Sequence, residues 1–300
     1  MKNSHVKNTV GPWARQKLDG LEAYLDAYTT ALSKQKFDLY YIDAFAGSGK
    51  SRLRGSSDDD DLRNSPFLDE AFGASEVEFI EGSPRRALGL SRPFKKYFFF
   101  DAEPVRAQIL ETVGKEYPGR EFLVEIGDGN ELIRSLLPRI DSPATRGVAF
   151  LDPYGQHLHW RTIEALAATK RFEVIINFPL GMAINRLITR SGDIPANWRR
   201  DLDACFGGND WDRLVYDDTP TLFGDTERQK AENAGQRLLE YYLGRLKEIF
   251  GHAATPSLVR NTRGAPIYYM LWAGPHPLGL KIADHVLKLG ERIASSRKKT

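Results

Sequence analysis

Cysteine is almost missing from this sequence: Cys205 stands alone among 300 residues. One thiol cannot close a disulfide within the chain or build a Cys-rich zinc site. It fits a reducing compartment. No His and carboxylate spacing suggests a metal centre either. The sequence also lacks any apolar run near the roughly 18 residues of a membrane span, so no membrane association is expected. The opening stretch MKNSHVKNTVGPW has no apolar core of a secretory signal, and a cytoplasmic location is the expectation. Net charge is small, +2 from 42 basic and 40 acidic residues. That balance gives no global nucleic-acid footprint, although it leaves room for a local basic face. The basic end SSRKKT reads as a solvated tail.

What is there is alternation of strands and helices. Pro12 is placed to open a helix, and Leu18, Leu21, Leu25, Tyr28 and Leu32 recur at helical spacing. DLYYIDAF follows as an aromatic and β-branched strand. Strand, turn and helix then repeat through VEFIEGSPRRALGL, KKYFFFDAEPVRAQILETV, EFLVEIGDGNELIRSLLP and GVAFLDPYGQHLHWRTIEALAAT, and FEVIINFP adds another strand. Strands apolar on both faces at short spacing predict an α/β fold with a mostly parallel sheet covered by helices. After Pro179 the segments GMAINRLITR, PANWRRDLDACF and DTERQKAENAGQRLLEYYLGRLKEIF read as helical or mixed. The expected organisation is a core over 1–179, a helical insertion over 180–255, and a strand (267–274) and helix over 256–300 that complete the core. Residues 52–65, RLRGSSDDDDLRNS, read as a polar loop.

Residues 41–51, YIDAFAGSGKS, admit two chemistries. From Ala44 they approach the phosphate loop G-x-x-x-x-G-K-[ST], with Ala at the first glycine, and GVAFLD would supply an acidic strand end. A phosphate loop runs straight into a helix. Lys50-Ser51 instead lead into a stretch with Gly55, Ser56 and four successive aspartates, which cannot pack as a helix and would repel a triphosphate. The same residues also fit D-x-F-x-G-x-G, a loop that carries S-adenosylmethionine. In that reading Asp43 faces the donor's ammonium, Phe45 is the loop aromatic, and Gly47 and Gly49 let the backbone approach the methionine part. A plain glycine turn after a strand is the bland alternative.

The chain meets further demands of the methyl-donor reading in order. YFFFDAE ends a strand in Asp101, with Glu103 as the fallback, and such a carboxylate accepts ribose hydroxyls. Asp128 in GDGN either accepts from the adenine amino group or caps the helix NELIRSLL. Ser83 in GSP opens a helix whose N–H groups would meet the donor's carboxylate, or merely caps a turn. FLDPYG places Asp152 and Pro153 at the carboxyl end of a strand, where ligands of open α/β sheets bind. This stretch resembles the D-P-P-Y/F motif of amino methyltransferases. There the Asp side chain and the Pro carbonyl orient an amino group for in-line transfer, so catalysis is mostly positioning. An aromatic in the fourth position stacks on a flipped base. Here the aromatic, Tyr154, stands third and Gly155 fourth; Tyr154 either faces the ligands or enters the core. His157 and His159 are candidate contacts, or plain surface histidines.

YIDAFAGSG, FIEGSPRRAL, YFFFDAEPVR, GDGNELI, AFLDPYG, WRTIEALAATK, FPLGMAINR, IPANWRRDLDACFG and DWDRLVY together resemble the bacterial three-Cys-motif partner proteins, over most of residues 12–275. That resemblance implies a Rossmann-like methyltransferase fold and a separate partner protein with three cysteines. A more distant resemblance, in the order of elements over 43–155, is to ribosomal-RNA adenine-N6 methyltransferases. It implies Asp43, Asp101 and Asp128 as donor-binding residues and Asp152 as catalytic, with RNA or DNA as the substrate class. Two other readings stay open: a donor-binding subunit without catalysis, and a methyltransferase of a peptide or small molecule.

Overall fold

The computed structural model describes residues 9–10, 13–53, 79–153, 157–220, 226–261 and 264–296. Pro12, the 52–65 loop beyond Leu53, Tyr154 with Gly155, and the last residues of the basic tail lie outside them. The chain opens with β1 (Thr9–Val10), the long helix α1 (Trp13–Leu32), β2 (Asp38–Asp43), β3 (Lys50–Leu53) and β4 (Phe79–Glu81). Helix and strand then alternate through α2 (Ser83–Leu88), β5 (Lys96–Asp101), α3 (Pro104–Lys115), β6 (Phe122–Ile126), α4 (Gly129–Leu136), β7 (Thr145–Leu151), α5 (Trp160–Ala168) and β8 (Phe172–Phe178). A π-turn over Leu180–Ile184 leads to α6 (Asn185–Leu187), α7 (Ala196–Phe206) and α8 (Trp211–Val215). The hairpin β9 (Tyr216–Pro220) and β10 (Thr226–Lys230) precedes α9 (Ala234–Phe250). The chain closes with β11 (His252–Ala253), β12 (Ser257–Arg260), β13 (Pro266–Gly274) and α10 (Pro277–Ser296).

The main sheet runs β11-β13-β8-β7-β2-β5-β6, with β12 also beside β13. Strands β2, β5, β6, β7 and β8 are parallel, and β13 is antiparallel to β8. The alternation of side chains explains why this sheet is covered on both sides. Phe98 and Phe100 enter one core with Ile42, Leu151, Val174 and Ile176. Tyr97 and Phe99 enter the other with Tyr41, Phe150, Ile175 and Trp272. Helices α1, α2, α3 and α10 cover the second face. The first face takes α4 and α5 together with the segment after β8, whose Leu202, Phe206, Trp211, Val215 and Tyr242 join the same core. Phe178 of β8 stacks on Tyr242 of α9 at 4.4 Å. The Cys205 thiol is buried in that core, and burial pushes its pKa up to about 12.

The mostly parallel α/β sheet agrees with the pattern of apolar strands. Two elements differ from the sequence expectation. β4 leaves the main sheet and pairs antiparallel with β3, which itself runs parallel to β1. β4 is only three residues long. Thr226–Lys230, read together with the α9 residues as helical or mixed, is a strand against Tyr216–Pro220. Its alternating polar residues hold no apolar helical stripe, and the Arg228 guanidinium stacks over the Tyr216 ring at 4.2 Å. Among the described residues no helix is long and apolar enough to cross a membrane.

At the start of β8 the carboxyl of Glu173 is buried. Tyr24 of α1 donates its hydroxyl to Glu173 and accepts from Trp272 Nε1 at 2.7 Å. Burial is the main reason that the Glu173 acid rises from 4.5 to about 7. A buried acid at this value keeps its proton at mildly acidic pH, which lowers the cost of enclosing it there.

Candidate functional site

The chain order of the sheet reverses between β2 and β7: from β2 it proceeds to β5 and β6, and from β7 to β8 on the other side. Ligands of open α/β sheets bind beyond the carboxyl ends at such a point. Asp43 ends β2 opposite Phe150, and Asp152 follows β7 directly. The two strands that flank the reversal thus each carry a carboxyl group at this end of the sheet.

The segment after β2 is stitched to both neighbours. Ala44 N donates to Phe150 O at 3.2 Å, Ala46 N to Phe100 O at 2.9 Å, and Gly47 N to Asp101 Oδ2 at 2.9 Å. Gly47 and Gly49 have φ of +64° and +72°, in the left-handed region that glycine enters without strain. Gly82 N donates to Gly49 O at 2.9 Å. Lys50 then begins a strand, not a helix, so the backbone lacks the geometry that a phosphate loop needs.

Asp43 is fully buried, and its Oδ1 has no hydrogen-bond partner. The Tyr41 hydroxyl donates to its Oδ2 at 3.3 Å. Burial pushes the Asp43 acid from 3.8 up to about 7, and the nearby Asp152 charge adds to the rise. Hydrogen bonds from the Ser83 hydroxyl, the Phe45 amide and Tyr41 partly oppose it. The structure therefore brings Asp43, Phe45 and Ser83 together. A buried oxygen with no partner has capacity to accept a further hydrogen bond.

The other acids have local duties. Asp101 accepts from Gly47 N and from Glu103 N at 2.8 Å, and Arg106 lies 3.8 Å away. Its first effect is to tie the glycine loop to the start of α3; carboxylate oxygens retain capacity for further donors. Glu103 is the N-cap of α3 and accepts from Val105 N at 3.3 Å. Asp128 is the N-cap of α4, its Oδ1 accepting from Asn130 N at 2.7 Å and Glu131 N at 3.3 Å. Of the two roles weighed for Asp128, capping is the one visible in the geometry.

After β7, Pro153 is buried and Tyr154 lies outside the described residues. Asp152 is held from two directions. The Lys17 ammonium of α1 bonds its Oδ2, and Asn177 Nδ2 of β8 donates to its Oδ1 at 2.5 Å. Lys17 also sits 5.7 Å from the centre of the buried Tyr268 ring. Asn130, buried at the start of α4, holds the main chain at His157 and His159: its Nδ2 donates to His157 O at 2.8 Å and its Oδ1 accepts from His159 N at 2.9 Å. His157 is exposed, and both histidines take part here through their main chain. Sequence reasoning missed Lys17, Asn177 and Asn130. It also missed Gly129, where a Cβ would stand 2.1 Å from Ala44 O; the only sequence signal was its place in GDGN. Among the described residues no cluster of His, Cys, Asp or Glu could hold a metal ion.

No family model matches the chain, and no curated protein matches it. Solved structures do. Protein LPL1258 from Legionella pneumophila, of the family model DUF519, is 15% identical over 90% of this chain and 91% of its own, with a TM-score of 0.51. Trm1 from Pyrococcus horikoshii, solved with S-adenosyl-L-methionine, is 9% identical over 90% of this chain and 57% of its own, at 0.41. The putative methyltransferase yhhF from Escherichia coli is 17% identical over 58% and 74%, at 0.30. At such identities the likeness to LPL1258 speaks for a shared fold.

Proposed function

We propose that this protein is an S-adenosylmethionine-dependent methyltransferase acting on an amino group, with nucleic acid as the substrate class and a three-Cys-motif protein as its partner. One observation carries the reading. Two carboxyl groups meet at the strand reversal, one buried with an unpartnered oxygen (Asp43), the other partly exposed and bonded to N–H donors (Asp152). Their environments suit different ligands, a donor's ammonium and an acceptor's amine. When bound, S-adenosylmethionine would supply a methyl group on a sulfonium, electrophilic enough for a neutral amine to attack. Asp43, with Phe45 and Ser83 beside it, would hold the amino-acid part, and Gly47 and Gly49 would let the backbone lie against it. Asp101, with Glu103 and Asp128 near the neighbouring strand ends, would face the nucleoside. Asp152 and the Pro153 carbonyl would orient the acceptor nitrogen, and Tyr154 would close over donor or target. Orientation of this kind supplies much of the rate in transfer between two bound groups. Nucleic acid as substrate rests on the family resemblance and on the motif at Asp152.

The engagement of both Asp152 oxygens by the protein's own residues favours a second reading, a donor-binding subunit without catalysis of its own. Calorimetric titration with S-adenosylmethionine and separately with Mg-ATP, on wild type and Asp101→Ala, tests the donor site. Binding of ATP instead of the sulfonium overturns the reading. Asp152→Ala then separates the two roles: retained donor binding with lost methyl transfer supports the enzyme, and unchanged function of the assembled pair supports the subunit.

A further inference from the structure

One polar atom at the acceptor end has no role in the reading above. Asn177 stands next to last in β8 and is 7% exposed. Leu151 and Ile176 are partners in the β7–β8 ladder, so Asp152 and Asn177 are the next residues beyond a matched pair at the carboxyl ends of two parallel strands. The Asn177 Nδ2 is committed to Asp152, while its Oδ1 is buried and has no partner among the described residues. Turning the amide over would not help. It would point a carbonyl at a carboxylate and leave a buried N–H₂ unsatisfied. Asp152 therefore fixes which way the Asn177 carbonyl points. Buried acceptors without a donor are uncommon, and one at the carboxyl end of a parallel strand, where ligands of such sheets bind, calls for a donor from outside the chain.

The second observation is the identity of the group already on Asp152. Lys17 brings an ammonium to Oδ2 from a helix that packs over the sheet. An N–H donor of this chain thus occupies one of the acceptors that a substrate amine would use.

We propose that Asn177 Oδ1, in place of the Pro153 carbonyl, is the second acceptor of a cradle for the substrate amine, completed by Asp152, with Lys17 keeping the place when no substrate is bound. The proposal rests on the methyltransferase reading and deepens it. An amino group offers two hydrogens and a hydroxyl only one, so a pair of acceptors, with Asn177 Oδ1 buried, favours amines. A hydroxyl ligand leaves one acceptor unpaired, which is the kind of penalty that gives strong discrimination.

The test needs no knowledge of the natural substrate. Sinefungin is an S-adenosylmethionine analogue with a primary amine where the donor carries its sulfonium methyl; S-adenosylhomocysteine carries nothing there. Calorimetric titration of the full chain with each gives the ratio of the two affinities. The expected result is a wild-type preference for sinefungin that falls about tenfold in Asn177→Ala, while S-adenosylhomocysteine binds as before. Should Asn177→Ala not fold, Lys17→Met probes the same cradle from the other side: freeing Asp152 Oδ2 raises the preference for sinefungin. A preference unchanged in both variants, or absent from wild type, overturns the cradle while leaving the donor site intact. Binding of neither analogue overturns the methyltransferase reading and the cradle with it.

Discussion

A carboxylic acid that keeps its proton up to about pH 7 must release it before it can pair with an ammonium group, and Asp43 is such an acid. Its ordinary value is 3.8, and burial is the first cause of the rise. If the ionised form is the one that binds the donor's ammonium, affinity follows the ionised fraction. That fraction is about one half at pH 7 and about 3% at pH 5.5, so the donor should bind roughly fifteenfold more weakly at the lower pH. The donor's own α-amino group stays largely protonated across this window, since such groups titrate near 7.7–8.0. Calorimetry at the two pH values, in buffers of different ionisation enthalpy, reads both the affinity and the proton released. Asp43→Asn should bind weakly and without this dependence. Equal wild-type affinity at both pH values, or a variant as pH-dependent as wild type, refutes the assignment of Asp43. Folding has the opposite sign. Because the folded value is raised, the stability that Asp43 contributes is full below 3.8 and is lost as pH rises through about 7.

Glu173 makes a parallel prediction away from the site. Its folded value, raised from 4.5 to about 7, gives stability that is full below 4.5 and falls by about 3 kcal/mol by pH 8. Glu173→Gln still accepts from Tyr24 and never ionises, so its stability relative to wild type should improve by that order between pH 4.5 and 8 in urea denaturation; a constant difference would mean that Glu173 does not hold a proton. Gly129→Ala should force the β2 loop and α4 apart, since its Cβ would meet Ala44 O at 2.1 Å. A loss of about 1–3 kcal/mol in denaturant and weakened donor binding are expected. Gly244→Ala, in α9 with nothing within 4 Å, should instead be stabilising by about 0.5–1 kcal/mol.

The sheet was readable in the sequence because its strands are apolar at both even and odd positions. Phe98 and Phe100 serve one core, Tyr97 and Phe99 the other, and only a strand covered on both faces demands this. Asp43 and Asp152 were readable as acids that end such strands. Asp128 and Glu103 looked ambiguous because a cap and a ligand contact want the same acidic residue before a helix, and local pattern cannot separate them. The hairpin at 216–230 was missed because Thr226–Lys230 and Tyr216–Pro220 each carry little apolar signal, and their pairing is a tertiary fact.

The residues that were missed at the site share one physical cause, and α1 shows it. Leu21, Leu25 and Tyr28 announce a buried stripe, and Lys17 and Tyr24 lie on that same stripe, seven residues apart. Two helical turns separate them by about 10 Å, and four residues of strand carry β8 from Glu173 to Asn177 over about 13 Å. The helix and the strand therefore match in length. Lys17 meets Asp152 beside Asn177 at one end, and Tyr24 meets Glu173 at the other. Read alone, a lysine and a tyrosine in an amphipathic helix are ordinary. Their meaning comes from acids 135 and 149 residues away, each of which ends or begins a strand under the helix. A polar residue that interrupts a buried helical stripe must find a partner once the helix docks. Here both interruptions find carboxyl groups, and the helix that covers the sheet also carries the cation paired with Asp152 at the carboxyl end of β7.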